Sequence, residues 1–192
     1  MNDATLPVRA RHKLETTRLI HEIAATMALK EGLLHAKVEA IAAAAGVSKR
    51  TFFNYFATKE DAVLGVQAPV LSDDVVKRFT TRDDDLLTRV VWMFVDVSRT
   101  ILVTGSVKRH KELWHRFPEL VGRYKARMLE TEGIIRPVVT RVCPGVSDQE
   151  VSIILNLAGA IIRYGYSIDA ELTDAGIAES LKQFKVTVRK SL

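Results

Sequence analysis

The chain has 192 residues, of which 47% are hydrophobic and 27% charged, with a net charge of +5 and a mean hydropathy near zero. This is enough apolar material for the core of one large or two small soluble domains, and the apolar runs, such as "SIILNLAGAII" at 152–162, are too short to span a bilayer. No charged start leads into an apolar signal segment, and the lone Cys143 has no partner for a disulfide or a metal knuckle, so a reducing, cytoplasmic setting without a membrane is expected.

In chain order, residues 14–31 place Leu19, Ile20, Ile23, Ala24 and Met27 on one helical stripe, and Gly32 stops it. The "RARHK" segment at 9–13, ahead of that helix, is a candidate basic arm or a solvated tail. Residues 38–44 form a short helix, 48–55 a second and 59–66 a third, opened by a capping pattern of Thr58 with Asp61 three residues on. Pro69 with the polar "SDD" and "TTRDDD" stretches marks a border, dividing the chain into domains at 1–66 and 67–192.

Beyond that border the spacing predicts an apolar helix over 84–104 ending at Gly105 and a short one over 106–115. A long helix opened by Pro118 should be kinked or ended by Pro137. Pro144 and Gly145 turn the chain, Ser147 and Glu150 cap a helix to residue 166, and 173–190 is the last. Strand-like alternation is scarce, so the fold class is all-α.

The stretch "VEAIAAAAGVSKRTFFNYFATKED" at 38–61 holds two short helices joined by a tight turn at Gly46, the arrangement in which the second helix enters a DNA major groove. Ile41, Ala42, Val47 and Phe52 are spaced to pack the helices together, and Ser48 can cap the second. Lys49 and Arg50 suit phosphate or guanine edges, Thr51 suits phosphate or a thymine methyl, and Asn54 suits base edges. Phe52 and Phe56, four apart, should anchor the helix, leaving Phe53 and Tyr55 nearer the DNA. Net charge and a pI near 9.4 fit a polyanionic partner, although residues 1–65 carry only nine Lys/Arg against seven Asp/Glu.

The string "IAAAAGVSKRTFFNYFATKEDAV" resembles the signature of the tetracycline-repressor (TetR) family, which looks like "IAxxAGVSxxTxxxYFxxKEDxx". It matches at Ile41, Ala42, Ala45, Gly46, Val47, Ser48, Thr51, Tyr55, Phe56, Lys59, Glu60 and Asp61. The resemblance covers roughly residues 14–66 and implies a three-helix DNA-binding domain, a divergent helical domain for a small effector, and a homodimer. It also implies a DNA face of Ser48, Lys49, Arg50, Thr51, Asn54, Tyr55 and Lys59, the last touching phosphate. Two positions depart from the family's habit. Lys37 stands where a threonine cap is usual and can meet phosphate instead; Phe53 stands where Tyr is frequent, so ring packing replaces a phenolic phosphate contact.

The remainder places polar groups inside apolar runs: Asp96 and Arg99 in "WMFVDVSRTILV", Asn156 and Arg163 in "LNLAGAIIRYG". Each needs a partner, water, a ligand or exposure. With Trp92, Met93, Trp114, Phe117, Tyr124, Met128 and Tyr164 they can line an effector cavity, although aromatics at this spacing also serve as plain core, and Asp96 can pair with Arg99. Ala158, Gly159, Ala160 and Gly165, with the stripe Leu172, Ile177, Leu181, Phe184 and Val188, suit the last two helices to dimerisation.

There is no glycine-rich phosphate loop, metalloprotease motif or nucleophile elbow. His110 and His115 are five apart, a poor metal pair, and His12, His21 and His35 are scattered. Neither catalysis nor a cofactor is expected. The reading is a sequence-specific DNA-binding transcriptional regulator, a repressor released from a palindromic operator by a small-molecule effector; the alternative is a helical small-molecule-binding protein or enzyme with an incidental basic helix-turn-helix-like surface.

Overall fold

The computed structural model describes residues 7–103, 107–168 and 173–191, excluding the side chains of residues 107, 108, 110 and 111. The expected helix stop at Gly105 and the stripe residue Leu172 lie outside these residues, as does the His110 side chain. The described residues are helical apart from turns, loops and one isolated antiparallel bridge between Val66 and Leu102, so the fold is all-α. The chain divides into two compact units, Met1–Ala68 with Ile101–Arg127, and Pro69–Thr100 with Met128–Leu192.

The first unit holds α1 (Val8–Glu31), α2 (Val38–Ala44), α3 (Lys49–Tyr55), α4 (Lys59–Leu64), α7 (Val107–Arg116) and the start of α8 (Glu119–Val142). Helix α1 begins earlier than the apolar period announces. Its first turns absorb the whole "RARHK" segment, which is therefore helix and not an extended arm. The buried side of α1 carries Ile20, Ala24, Ala25 and Ala28, and also His21. Leu19, expected on the stripe, is 48% exposed: the small alanines, rather than the largest residue nearby, let this helix lie close to α4. Gly65 ends α4 in a left-handed conformation, φ 64°, and its carbonyl accepts from Val103 N at 2.8 Å. Gln67 N donates to Ile101 O at 2.8 Å, so two backbone bonds hold the bridge.

The second unit holds α5 (Asp73–Thr81), α6 (Leu86–Ile101, whose last residue falls in the first unit), the rest of α8, α9 (Asp148–Ile168) and α10 (Asp174–Ser191). Helix α5 occupies a stretch whose polarity reads as linker. Ser72 caps it by accepting from Val75 N, Asp73 and Asp74 stand in its first turn, and only Val75 and Phe79 need to be buried to dock so short an element. Pro137 neither ends α8 nor interrupts its assignment. The carbonyl its missing N–H leaves without an intrahelical donor belongs to Gly133, and both residues face outward, where water can satisfy it. Ser147 and Glu150 form the expected reciprocal box, Glu150 Oε2 accepting from Ser147 N at 2.8 Å and Ser147 Oγ from Glu150 N at 3.3 Å. The core is mainly aliphatic, with Phe79, Met93 and Phe94 among it: Val90, Val91, Val95 and Val97 from α6 cluster with Ile135 and Val139 from α8 and Leu155, Ala158 and Ile162 from α9.

Helix α9 has 21 residues, and an 18-residue window within it has a mean hydropathy of 1.4, long and apolar enough by length and composition to cross a membrane, which exceeds the sequence expectation. One face of it, Val151, Leu155, Ala158, Ile161, Ile162 and Gly165, is buried against the protein itself.

Candidate nucleic-acid interface

Helices α2 and α3 are joined by Gly46, which adopts φ 67°, a conformation that a side chain resists. Ser48 is the N-cap of α3: its Oγ accepts from Thr51 N at 3.0 Å and lies 2.8 Å from Thr51 Oγ1. Phe52 and Phe56 are fully buried with ring centroids 6.2 Å apart, and the backbone of Tyr55 accepts from Gln67 Nε2 at 3.1 Å. These fastenings fix which side of α3 is outward. Arg50, Asn54 and Phe53, which is 47% exposed, face solvent, with Thr51 and Tyr55 at the margin. Phe53 meets Phe52 edge to face at 5.4 Å, so its ring is held from below while its far side is available.

The cations differ in how they are engaged. Lys49 Nζ donates to Glu39 Oε1 at 2.5 Å, and that bond holds the Glu39 carboxyl below its ordinary range. The pair is exposed, so it gives way readily to a stronger anion. Lys59, half-buried at the start of α4, donates to Leu33 O at 2.8 Å. Lys37 is exposed at the N-cap of α2 and makes no side-chain cap, consistent with the loss of a threonine there. The row Lys37, Lys49, Arg50, Phe53 and Asn54 is thus solvent-facing, with Lys49 paired to Glu39 at the surface, while Lys59, outside the row, is bonded to the backbone of Leu33.

Two buried polar groups sit behind this surface. The Thr58 hydroxyl accepts from Asp61 N at 3.1 Å as the capping pattern requires, but the Asp61 carboxylate turns inward. It is 0% exposed and accepts four hydrogen bonds: from Arg123 Nε at 2.7 Å and Nη2 at 2.6 Å, and from Arg127 Nε at 3.2 Å and Nη2 at 2.7 Å. Burial pushes its pKa up, and the two guanidinium groups more than reverse this, so Asp61 titrates below an ordinary carboxylate. His21 Nδ1 donates to Ala62 O at 2.9 Å. Burial lowers its pKa, only partly offset by that bond, which makes it a neutral imidazole; its ring closes on Gly65, where an added Cβ would come within 2.8 Å. The sequence signal for both was present but diluted: a carboxylate opening the apolar run "DAVLGV", and a histidine among alanines.

The residues expected at an effector site fall in both units. Trp92, Asp96 and Arg99 come together in the second unit around a cavity of about 460 Å³, with Arg78, Arg82 and Asp174. Asp96 and Arg99 scarcely pair, at 4.0 Å; Asp96 accepts from Arg78 Nε at 2.9 Å and Arg99 donates to Asp174 at 2.5 Å. Met128 is partly buried against the core of the same unit. Asn156 and Arg163 are exposed on α9, and Asn156 Nδ2 donates to Ser152 O at 2.9 Å within that helix. Trp114, Phe117 and Tyr124 belong to the first unit, where Trp114 and Tyr124 meet edge to face at 5.2 Å.

Residues 20–65 match the family of bacterial regulatory proteins, tetR family. The chain also aligns with the crystal structure of NalD, the secondary repressor of the MexAB-OprM multidrug efflux pump in Pseudomonas aeruginosa, over 91% of this chain and 94% of that one, at 18% identity and a TM-score of 0.47. A likeness at that level carries no functional argument. No curated protein matches the chain.

Proposed function

We propose that this chain, a member of the tetR family of bacterial regulatory proteins through residues 20–65, represses transcription as a homodimer on a palindromic operator and leaves the DNA when a small molecule binds. The observation that carries the reading is α3 itself, pinned by Phe52 and Phe56 so that Arg50, Phe53 and Asn54 project together. Residues 1–66 serve as the DNA-reading module in the bacterial cytoplasm, and 67–192 bind the effector and a second copy. Exposed apolar residues on the last two helices, Ile153, Tyr164 and Ile168 on α9 and Val188 on α10, support self-association there. Two-fold symmetry sets the recognition helices one or more DNA turns apart, about 34 Å per turn.

A ligand can alter DNA affinity only by binding one conformation better than the other. The short helix opened by Thr58 is the proposed lever, since Asp61 ties it to α8. Selection of bound duplexes from a random pool, then anisotropy titration of the best duplex and a scramble at several salt concentrations, tests the reading. A palindrome bound at least a hundred-fold more tightly than its scramble is the expected result, well within the usual specificity range. Equal binding of both, steeply salt-dependent, would reduce α3 to a non-specific cationic surface.

A further inference from the structure

Two depressions in the second unit share Trp92 and Ala178. The first, about 390 Å³, presents Thr88, Leu181 and Val186 beside the Trp92 ring and carries Lys182, Lys185 and Arg189. The second, about 460 Å³, is lined by Arg78, Arg82 and Arg99, with the carboxylates of Asp96 and Asp174. Six cations line the apolar strip on α6 and α10 with two carboxylates, and three more carboxylates pair with them from outside the lining: Asp84 with Arg82, Asp85 with Lys185 and Glu179 with Lys182.

The arginines are only partly spent. Arg78 uses Nε on Asp96 and Arg82 uses Nε on Asp84, at 2.9 and 3.1 Å. Among the described residues, the terminal nitrogens of neither meet a protein acceptor. The Arg82 guanidinium lies 4.9 Å above the Trp92 ring centroid, which keeps its fork beside the wall the two depressions share. A guanidinium edge held in that way suits bidentate contact with carboxylate, sulfonate or phosphate. The apolar strip of Trp92, Leu181 and Val186 suits a hydrocarbon or aromatic body laid along an open groove. A cationic ligand would meet like charge on both sides.

We propose that this groove binds an anionic amphiphile, its body on Trp92, Leu181 and Val186 and its head on Arg78 and Arg82. The proposal deepens the effector-responsive reading above and rests on it for the regulatory consequence, while the binding event stands apart from it.

The experiment uses the full chain. Trp114→Phe leaves Trp92 as the lone indole, since the sequence has two tryptophans. Sodium decanoate, decanol and decyltrimethylammonium, all below their self-association concentrations, are titrated against Trp92 emission, and calorimetry on the unsubstituted chain gives the same affinities without the substitution. Decanoate should bind saturably, at least ten-fold more tightly than either chain-matched control, and Arg78→Gln or Arg82→Gln, each folded by circular dichroism, should weaken it by roughly ten-fold. Equal affinity for the three head groups, no saturable decanoate binding by calorimetry, or full affinity in both arginine variants overturns the proposal. Saturable decanoate binding that leaves operator affinity unchanged sustains the groove and removes its effector role.

Discussion

Replacing Asp61 with Asn tests the most deeply buried charge in the first unit. The change conserves shape, but it leaves the Arg127 side chain, 5% exposed, and the Arg123 side chain, 26% exposed, around a neutral amide. Removing one partner of a buried ion pair costs about 3–5 kcal/mol, because the remaining charge has lost both water and counter-ion. Arg123 can recover some hydration, which places the expectation at the lower end, about 3 kcal/mol. Against a total stability of about 5–15 kcal/mol this is a large fraction. For a chain of this size each kcal/mol lowers Tm by about 2–4 °C, so a fall of about 6–12 °C is expected by circular dichroism at pH 7. The pH dependence has a definite sign. Asp61 titrates lower in the folded protein than in the unfolded chain, so its contribution is fully present above the unfolded value of about 3.9 and is lost as pH falls toward the folded value. The parent should therefore lose more stability than Asp61→Asn between about pH 5 and pH 3. Asp84→Asn, which removes only the exposed partner of Arg82, is the control and should cost less than about 0.5 kcal/mol. A Tm for Asp61→Asn within about 2 °C of the parent would refute the reasoning, since the two arginines would then be indifferent to the charge between them.

His21, whose pKa is lowered by burial, takes up its proton more readily when unfolded, so stability should rise with pH as the solution passes upward toward and through about 6.5. His21→Gln should flatten that rise in Tm, and an unchanged slope would place the titration elsewhere. Gly65→Ala combines a left-handed backbone with a Cβ only 2.8 Å from the His21 ring, whereas Gly46→Ala has a similar φ and open space around it. The first should cost about 2–3 kcal/mol in denaturant unfolding and the second about 1, and equal losses would show that the ring yields freely. In DNA titrations, Arg50→Ala and Asn54→Ala should reduce discrimination between operator and scramble, each by about 1–3 kcal/mol, while Lys59→Ala weakens both duplexes alike and lowers the salt slope. Equal loss on both duplexes in the first two variants would mean that they touch phosphate only.

What could be read from the sequence, and what could not, separates along one physical line. Periodicity and capping are local, so α2, α3, α4 and the box at Ser147 follow from neighbours within one or two turns, as does the division of labour between buried Phe52 and exposed Phe53. Errors arose where a local rule had a distant answer. The polar residues around α5 looked like linker because two buried side chains, Val75 and Phe79, are too few to set up a visible period, yet they suffice once a core is there to receive them. Pro137 does not end its helix, and that outcome depends on Gly133, one turn before it on the same side, also facing outward, which spacing alone does not report. The Asp61 clasp is the extreme case. Its partners lie 62 and 66 residues away, and Arg123 and Arg127 are four apart in a helix whose polar spacing resembles an ordinary solvated face. A buried carboxylate can persist only where fixed donors replace its water, so the apolar run after Asp61 already required such donors. The sequence therefore poses the question of where they come from, and the answer ties the helix that follows the DNA-reading motif to α8, whose residues 119–127 belong to the first unit and the rest to the second.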